Sequence, residues 1–305
     1  MLNVTLSKLP HTVKMQGFEG IMNPYKKDIL ENNMIQLELP ITRRCNLKCK
    51  NCSFYCNINK TEDEILYPLE QVEKDLNHLK SLGIRIQNIT IIGGEPTLVK
   101  NLTDYLYLVR RIINPDVLLI STNTVSLTNL CNHKGIKALK DTKAAILYTK
   151  YPNFVNNKSL SYLKSFGIQT FCIAEGYFWK KTYDNYVQYE FSKQTLLPSD
   201  FGDSKKEEHF KKCDCDLLTL CNGRIYTCSK SLHIKFLNKK FGFNYPEDCY
   251  LEVSSLTSAD ELLTFSKTPG KLCSFCANAD PANAVVVPWS QEPAEVTDYV
   301  DNTIK

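Results

Sequence analysis

The sequence predicts an α/β fold built on a parallel sheet. Short apolar or alternating runs recur at 34–41, 84–92, 117–121, 144–148 and 170–173. Between them, at 68–82, 98–113, 127–140 and 159–166, apolar residues fall at helical spacing. Strands that alternate with helices are joined by right-handed crossovers into a parallel sheet. Barrels of that kind carry their chemistry at the C-terminal strand ends.

Each element has its own local signal. Residues 1–33 show no period and read as an N-terminal extension. The run 34–41 alternates apolar and polar positions, the pattern of a strand. Leu69, Val72, Leu76 and Leu79 mark one helix face, with Pro68 at its start and Gly83 at its stop. Asn114-Pro115 closes the next helix. After about residue 180 the alternation fades and cysteines accumulate, which places a boundary near 200.

The 305 residues have room for one large domain and a small one. Hydrophobic residues make up 43%, enough for a sizeable core. The net charge of +4 comes from dispersed Lys and Arg, so no nucleic-acid surface is expected. The first ten residues lack the basic start and apolar run of a signal peptide. No apolar stretch reaches membrane-spanning length, and a cytoplasmic location is expected. In that reducing compartment the 13 cysteines point to metal binding or catalysis rather than disulfides.

Cys45, Cys49 and Cys52 stand in a C-x3-C-x2-C loop at the end of the first strand. Clustered thiolates favour zinc or an iron–sulfur cluster over hard cations. A zinc knuckle needs a fourth ligand. Cys56 is nearby, but no His or further Cys follows at zinc-finger spacing. A second motif, Gly93-Gly94-Glu95-Pro96, ends the second strand after the apolar run 89–92.

With both motifs in this order, the chain resembles the radical S-adenosylmethionine (SAM) superfamily. The resemblance implies a partial (β/α)6, TIM-like barrel, assigned here to 34–200. It implies that Cys45, Cys49 and Cys52 hold three irons of a [4Fe–4S] cluster. The methionyl amine and carboxylate of SAM then bind the open iron, and the Gly93–Pro96 loop contacts the amine. Ser121 and Asn123, at the end of the third strand, correspond to polar contacts with the SAM ribose or carboxylate. The family usually has Thr-Asn-Gly there, whereas this chain has Thr124 in place of Gly. The residue before the third cysteine is commonly aromatic, and here it is Asn51. Adenine contact then falls to another group, with Phe54 and Tyr55 as candidates.

A second cysteine group follows: Cys213, Cys215, Cys221, Cys228, Cys249, Cys273 and Cys276. Asn222-Gly223 is a strong hairpin turn between Cys221 and Cys228, and Cys273-Ser-Phe-Cys276 is a C-x2-C pair. The layout resembles the twitch form of the SPASM auxiliary module, assigned to 201–280 with a tail at 281–305. The resemblance implies an auxiliary [4Fe–4S] cluster on Cys228, Cys273, Cys276 and either Cys213 or Cys215. A four-cysteine zinc ribbon has the same signature. Cys56, Cys131, Cys172, Cys221 and Cys249 are expected to be small buried hydrophobes.

Glu175, Tyr177–Trp179, Tyr148, Lys150 and Tyr151 follow strands and are candidates for a substrate mouth, or for core. No catalytic side chain is assigned. The resemblance implies reductive cleavage of SAM to a 5′-deoxyadenosyl radical that abstracts hydrogen from substrate. It also implies an electron donor such as flavodoxin or ferredoxin. The Gly223-x-Ile-Tyr-x-Cys228 turn, the Cys273–Cys276 pair and the Trp289-Ser290 tail are similar to radical SAM proteins of surface-polysaccharide gene clusters. A carbohydrate or nucleotide sugar, oxidised or epimerised, is therefore the leading substrate expectation. A peptide modifier is the runner-up, although the first 33 residues are too short for the winged-helix domain many of those carry. A non-catalytic metal-binding adaptor is the reading from another class, and the intact motifs weigh against it.

Overall fold

Alternating apolar residues make Ile35–Thr42 (β1) the centre of an eight-stranded sheet in the computed structural model. The structure describes residues 35–58, 66–151, 153–173, 179–183, 186–192, 196, 200, 202–213, 217–277 and 286–300. The chain continues through α1 (Leu69–Ser81), β2 (Ile86–Gly93), α2 (Leu102–Ile112) and β3 (Val117–Thr122). It then forms α3 (His133–Thr142), β4 (Ala145–Thr149), α4 (Asn157–Ser165) and β5 (Thr170–Ile173). Strands β1 to β5 lie side by side and parallel, as the alternating pattern predicts. This is the partial barrel of the sequence reading.

Side-chain alternation divides the sheet into two faces. Ile35, Leu37, Leu39 and Ile41 share one apolar core with Val72, Leu76 and Leu79 of α1 and with Leu106 and Val109 of α2. On the other face Leu119, Ala145, Leu147 and Phe171 form a smaller apolar cluster.

Two predicted helices are broken. The stretch 98–113 begins as a short 3₁₀ turn at Pro96–Leu98, and α2 starts only at Leu102. The stretch 127–140 splits into a 3₁₀ turn at Leu127–Leu130 and α3, because the Asn132 side chain accepts from the Gly135 N–H at 2.9 Å and caps a new helix.

Beyond residue 180 the sequence periodicity reveals little. Trp179–Tyr183 (β6) and Tyr186–Ser192 (β7) form a hairpin joined by Val286–Pro288 (β11) in a separate three-stranded sheet. α5 (Gly202–Lys212) leads to β8 (Leu218–Cys221). β8 runs parallel to β1, pairing Leu37 with Leu218 and Glu38 with Thr219. The cysteine-rich half thus adds a strand beside β1 rather than after β5. Asn222 (φ 50°) and Gly223 (φ 80°) turn the chain into β9 (Arg224–Tyr226), and the two positive φ values are those a two-residue type I′ hairpin requires. α6 (Ser229–Phe241) and β10 (Leu251–Glu252) follow, then α7 (Ala259–Ser266). Among the described residues no helix is long and apolar enough to cross a membrane.

Candidate cofactor site

The cysteine loop leaves the C-terminal end of β1, and the Gly93–Pro96 loop leaves the adjacent end of β2. Backbone hydrogen bonds join the two. Gly94 N–H donates to Thr42 O and Glu95 N–H to Arg44 O, both at 2.8 Å. A Cβ on Gly93 would lie 2.2 Å from Thr42 O, and one on Gly94 would lie 2.4 Å from Arg44 O. Only residues without a Cβ permit this approach. In the structure the two glycines therefore bring one motif against the backbone that carries the other.

Glu95 is fully buried and its carboxylate is densely bonded. Oε1 accepts from Thr97 N–H (3.0 Å), Thr97 Oγ1 (2.6 Å) and Thr122 Oγ1 (2.7 Å), and Oε2 accepts from Asn123 N–H (2.7 Å). Burial raises its pKa, and those four donors oppose the rise. Glu95 thereby ties the β2 loop to the end of β3. Asn123 extends the tie to the cysteine loop: its Nδ2 donates to Asn46 Oδ1 at 2.7 Å and lies 3.7 Å from Cys45 Sγ. Ser121 lies two residues from Leu119, on the strand face opposite Thr122. Pro96 is buried in the 3₁₀ turn.

The expected Gly after Asn123 is Thr124, which keeps the left-handed backbone (φ 69°) that a glycine would take freely. Its hydroxyl donates to Phe154 O (3.2 Å) and accepts from Asn156 N–H (2.9 Å). The strain is offset by contacts that anchor the segment after β4.

Cys45, Cys49 and Cys52 are half-buried free thiols. Burial is the largest influence raising Cys45 and Cys49, the latter to about 12, and Cys52 adds to both. Cys52 is lowered instead, chiefly by a hydrogen bond from Cys56. Cys56 was expected as a buried hydrophobe, and it lies against the triplet. The Leu47 N–H donates to Cys45 Sγ at 3.4 Å. Among the described residues no three His, Cys, Asp or Glu side chains converge to hold a single metal ion. A cubane places each thiolate on a different iron, so its ligands stand farther apart than those of one ion. An all-thiol donor set with backbone N–H support fits an iron–sulfur cluster.

The aromatic candidates separate. Tyr55 is fully buried, edge-on to Tyr299 (centroids 5.1 Å), and is core. Phe54 is half-buried against His233, 5.0 Å between centroids. Tyr151 is raised well above the usual tyrosine range, first by burial and then by Cys49, Cys52, Cys45 and Glu95. It borders the triplet. Tyr148 and Lys150 precede it at the end of β4. Glu175 and the run Tyr177–Phe178 lie outside the described residues, and of Trp179 only the backbone in β6 is described.

Sequence reasoning left two contributors without a role here. One is the C-terminal segment, which crosses back over the triplet loop. Lys48 N–H donates to Gln291 Oε1 (2.9 Å), Lys50 N–H donates to Ser290 O (3.1 Å), and Cys49 bridges Gln291 in antiparallel fashion. The Trp289-Ser290 pair was the only signal in the sequence. The other is Glu38 on β1. It lies in one lateral row with Thr219, Thr90, Leu119 and Ala145. Burial, then Cys228, pushes its carboxyl up to about 7, while Thr219 pulls it down.

In the second cysteine group, Cys273 is pushed up to about 12 by burial and then by Cys228, Cys276 and Cys213. Those three thiols therefore lie near enough to Cys273 to act on its charge, and His209 fixes the loop through Nδ1 to Cys273 O at 2.9 Å. Cys215 lies outside the described residues. Cys221 and Cys249 are buried, as expected of core cysteines.

Comparison with known proteins bears on the first site. Residues 39–150, which hold both motifs, match the model of the Radical SAM superfamily. This stretch is a radical SAM domain. GTP 3′,8-cyclase of Helicobacter pylori is 31% identical over 101 residues, 33% of this chain and 30% of that protein. 7-Carboxy-7-deazaguanine synthase of Clostridium acetobutylicum is 26% identical over 155 residues, 50% of this chain and 66% of that protein. The chain thus spans less than two thirds of either relative. Among solved structures, BtrN in complex with AdoMet and 2-DOIA aligns with a TM-score of 0.48 and 15% identity, covering 80% of this chain and 93% of that one. A radical SAM domain implies a four-iron cluster and SAM.

Proposed function

We propose that the chain is a radical SAM enzyme acting on a hydroxyl-bearing small molecule, a carbohydrate or nucleotide sugar, by oxidation or epimerisation. The observation that carries the SAM reading is the docking of Gly94 and Glu95 onto Thr42 and Arg44, which fixes both motifs as one unit. Cys45, Cys49 and Cys52 would hold the cluster. When bound, the cluster and SAM supply a carbon radical that takes a hydrogen atom from unactivated carbon. Gly93, Gly94 and Pro96 place the loop that meets the methionyl group. Glu95 orients that loop and retains lone-pair capacity on Oε2. Ser121 and Asn123 lie at the adjacent β3 end, where the ribose or carboxylate would bind.

The substrate reading rests on the inner row of the barrel. Glu38 and Thr90 give it a polar half, and Leu119 and Ala145 an apolar half. Glu38 lies four residues below Thr42, roughly 13 Å at strand rise, beneath the loop that bears the triplet. A carboxylate there accepts hydrogen bonds from hydroxyl groups and holds a polar substrate in register. The proximity of Cys213, Cys228 and Cys276 to Cys273 supports an auxiliary cluster, and an electron acceptor there favours oxidation.

The test is anaerobic reconstitution followed by dithionite and SAM. 5′-Deoxyadenosine should appear, and absence of SAM cleavage by an iron-replete protein would remove the reading. Deuterium transfer into 5′-deoxyadenosine from labelled nucleotide sugars then tests the substrate class. Glu38→Gln should raise KM for that substrate while leaving substrate-free SAM cleavage intact.

A further inference from the structure

The indole N–H of Trp289 is buried and meets no acceptor in full hydrogen-bond geometry. A buried donor left without an acceptor is destabilising and calls for a partner. The ring is fixed from several sides. It lies 5.6 Å from Tyr151 and 5.8 Å from Phe154 between centroids. Directly after it, Ser290 and Gln291 are bonded to Lys50 and Lys48, the residues flanking Cys49. Lys50 also pairs with Glu292 at 2.9 Å. The segment therefore grips the loop on both sides of one cysteine. Trp289 and Tyr151 both lie beside the Cys49 sulfur, near enough to influence its charge. A protonated thiol is a weak acceptor, whereas a metal-bound thiolate is a strong one.

We propose that the Trp289 indole N–H donates to the Cys49 sulfur once that sulfur is a cluster ligand, and that this bond raises the cluster's reduction potential. The inference rests on the cluster reading above. The physical reason is charge. Reduction adds an electron to a cluster in a partly buried loop, and a donor to its sulfur stabilises the more negative state. Trp289 is thus a positioning residue of the C-terminal segment. It touches a cluster ligand rather than substrate.

The test is a redox titration, read by EPR, of the cluster signal that responds to SAM, beside iron and sulfide assays. Trp289→Phe removes the N–H and keeps an aromatic ring. Iron content should match wild type and the midpoint potential should become more negative. Tyr151→Phe should shift it in the same direction. If Trp289→Phe fails to hold iron, β-(3-benzothienyl)alanine at position 289 keeps the bicyclic shape without a donor, and its potential decides. An unchanged potential in an iron-replete donor-free variant overturns the proposal. Wild-type protein with no SAM-responsive cluster would instead remove the cluster reading itself, so the two failures are distinguishable.

Discussion

Gly94 packs against Arg44 so closely that the Arg44 carbonyl oxygen occupies space a side chain at 94 would need, 2.4 Å from its Cβ. Arg44 immediately precedes Cys45, so the position of the first cysteine depends on the absence of a methyl group 49 residues later. A Gly94→Ala change must push the two loops apart. Overpacking of this kind costs about 1–3 kcal/mol, and here the contact is with backbone, which yields least. Both iron content and SAM affinity should fall together. Iron and sulfide assays beside equilibrium SAM binding check this. Normal iron with reduced SAM binding would show that the glycine serves only the ligand.

Glu95 gives a second expectation. Its carboxylate meets four donors from Thr97, Thr122 and Asn123. Glu95→Gln replaces one acceptor oxygen by an NH₂. The threonine hydroxyls can rotate to accept, but the backbone N–H groups of Thr97 and Asn123 cannot. Loss of one charge-assisted bond costs about 1.5–3 kcal/mol, and a lower urea midpoint should report it. An equal midpoint in wild type and variant would show that the carboxylate is not the organising group.

Much of this site was legible because its signals are local. The triplet spacing, the Gly93–Pro96 run and the alternation of 34–41 each report on a few neighbouring residues, and strands β1 to β5 follow from such patterns. The C-terminal segment was not legible, since the Cys49–Gln291 bridge joins positions more than 240 apart and rests on backbone pairing that no side-chain period encodes. α6 was missed because buried residues on it include Lys230, Ser231, His233 and Asn238, which blur an apolar stripe. Thr124 read as a departure from the Thr-Asn-Gly pattern, yet it keeps the left-handed backbone and uses its hydroxyl to bind 154–156.

The second cysteine group invites a direct count. Proposed ligands are Cys228, Cys273, Cys276 and one of Cys213 or Cys215, and Cys213 lies near enough to Cys273 to raise its pKa. With Cys45, Cys49 and Cys52 all changed to Ala, about four irons should remain if a second cubane is present. Adding Cys213→Ser should remove them, and Cys215→Ser should not. Zinc without iron in the triple variant would convert the site to a structural ribbon. Iron lost with Cys215→Ser alone would exchange the ligand assignment.

His233 supplies a pH prediction. Its ring is fully buried on α6, with neither nitrogen partnered, 5.0 Å from Phe54 and 6.3 Å from Phe236 between centroids. Burial, then the charges of Arg43 and Lys235, hold its pKa well below the usual 6.5. The unfolded chain binds a proton at this residue below pH about 6.5, and the native state does not. Stability rises with pH wherever the unfolded state binds more protons. The contribution of His233 is therefore full above that pH and lost as pH falls, approaching about 1.4 kcal/mol per pH unit until the native pKa is reached. His233→Phe keeps a planar ring between two phenyl groups and removes both the titration and the orphan nitrogens. Anaerobic urea unfolding between pH 7.5 and 5.5 should show the stability gap moving in favour of the variant as pH falls. A constant gap across that range would mean that His233 carries the same charge in the native and unfolded states.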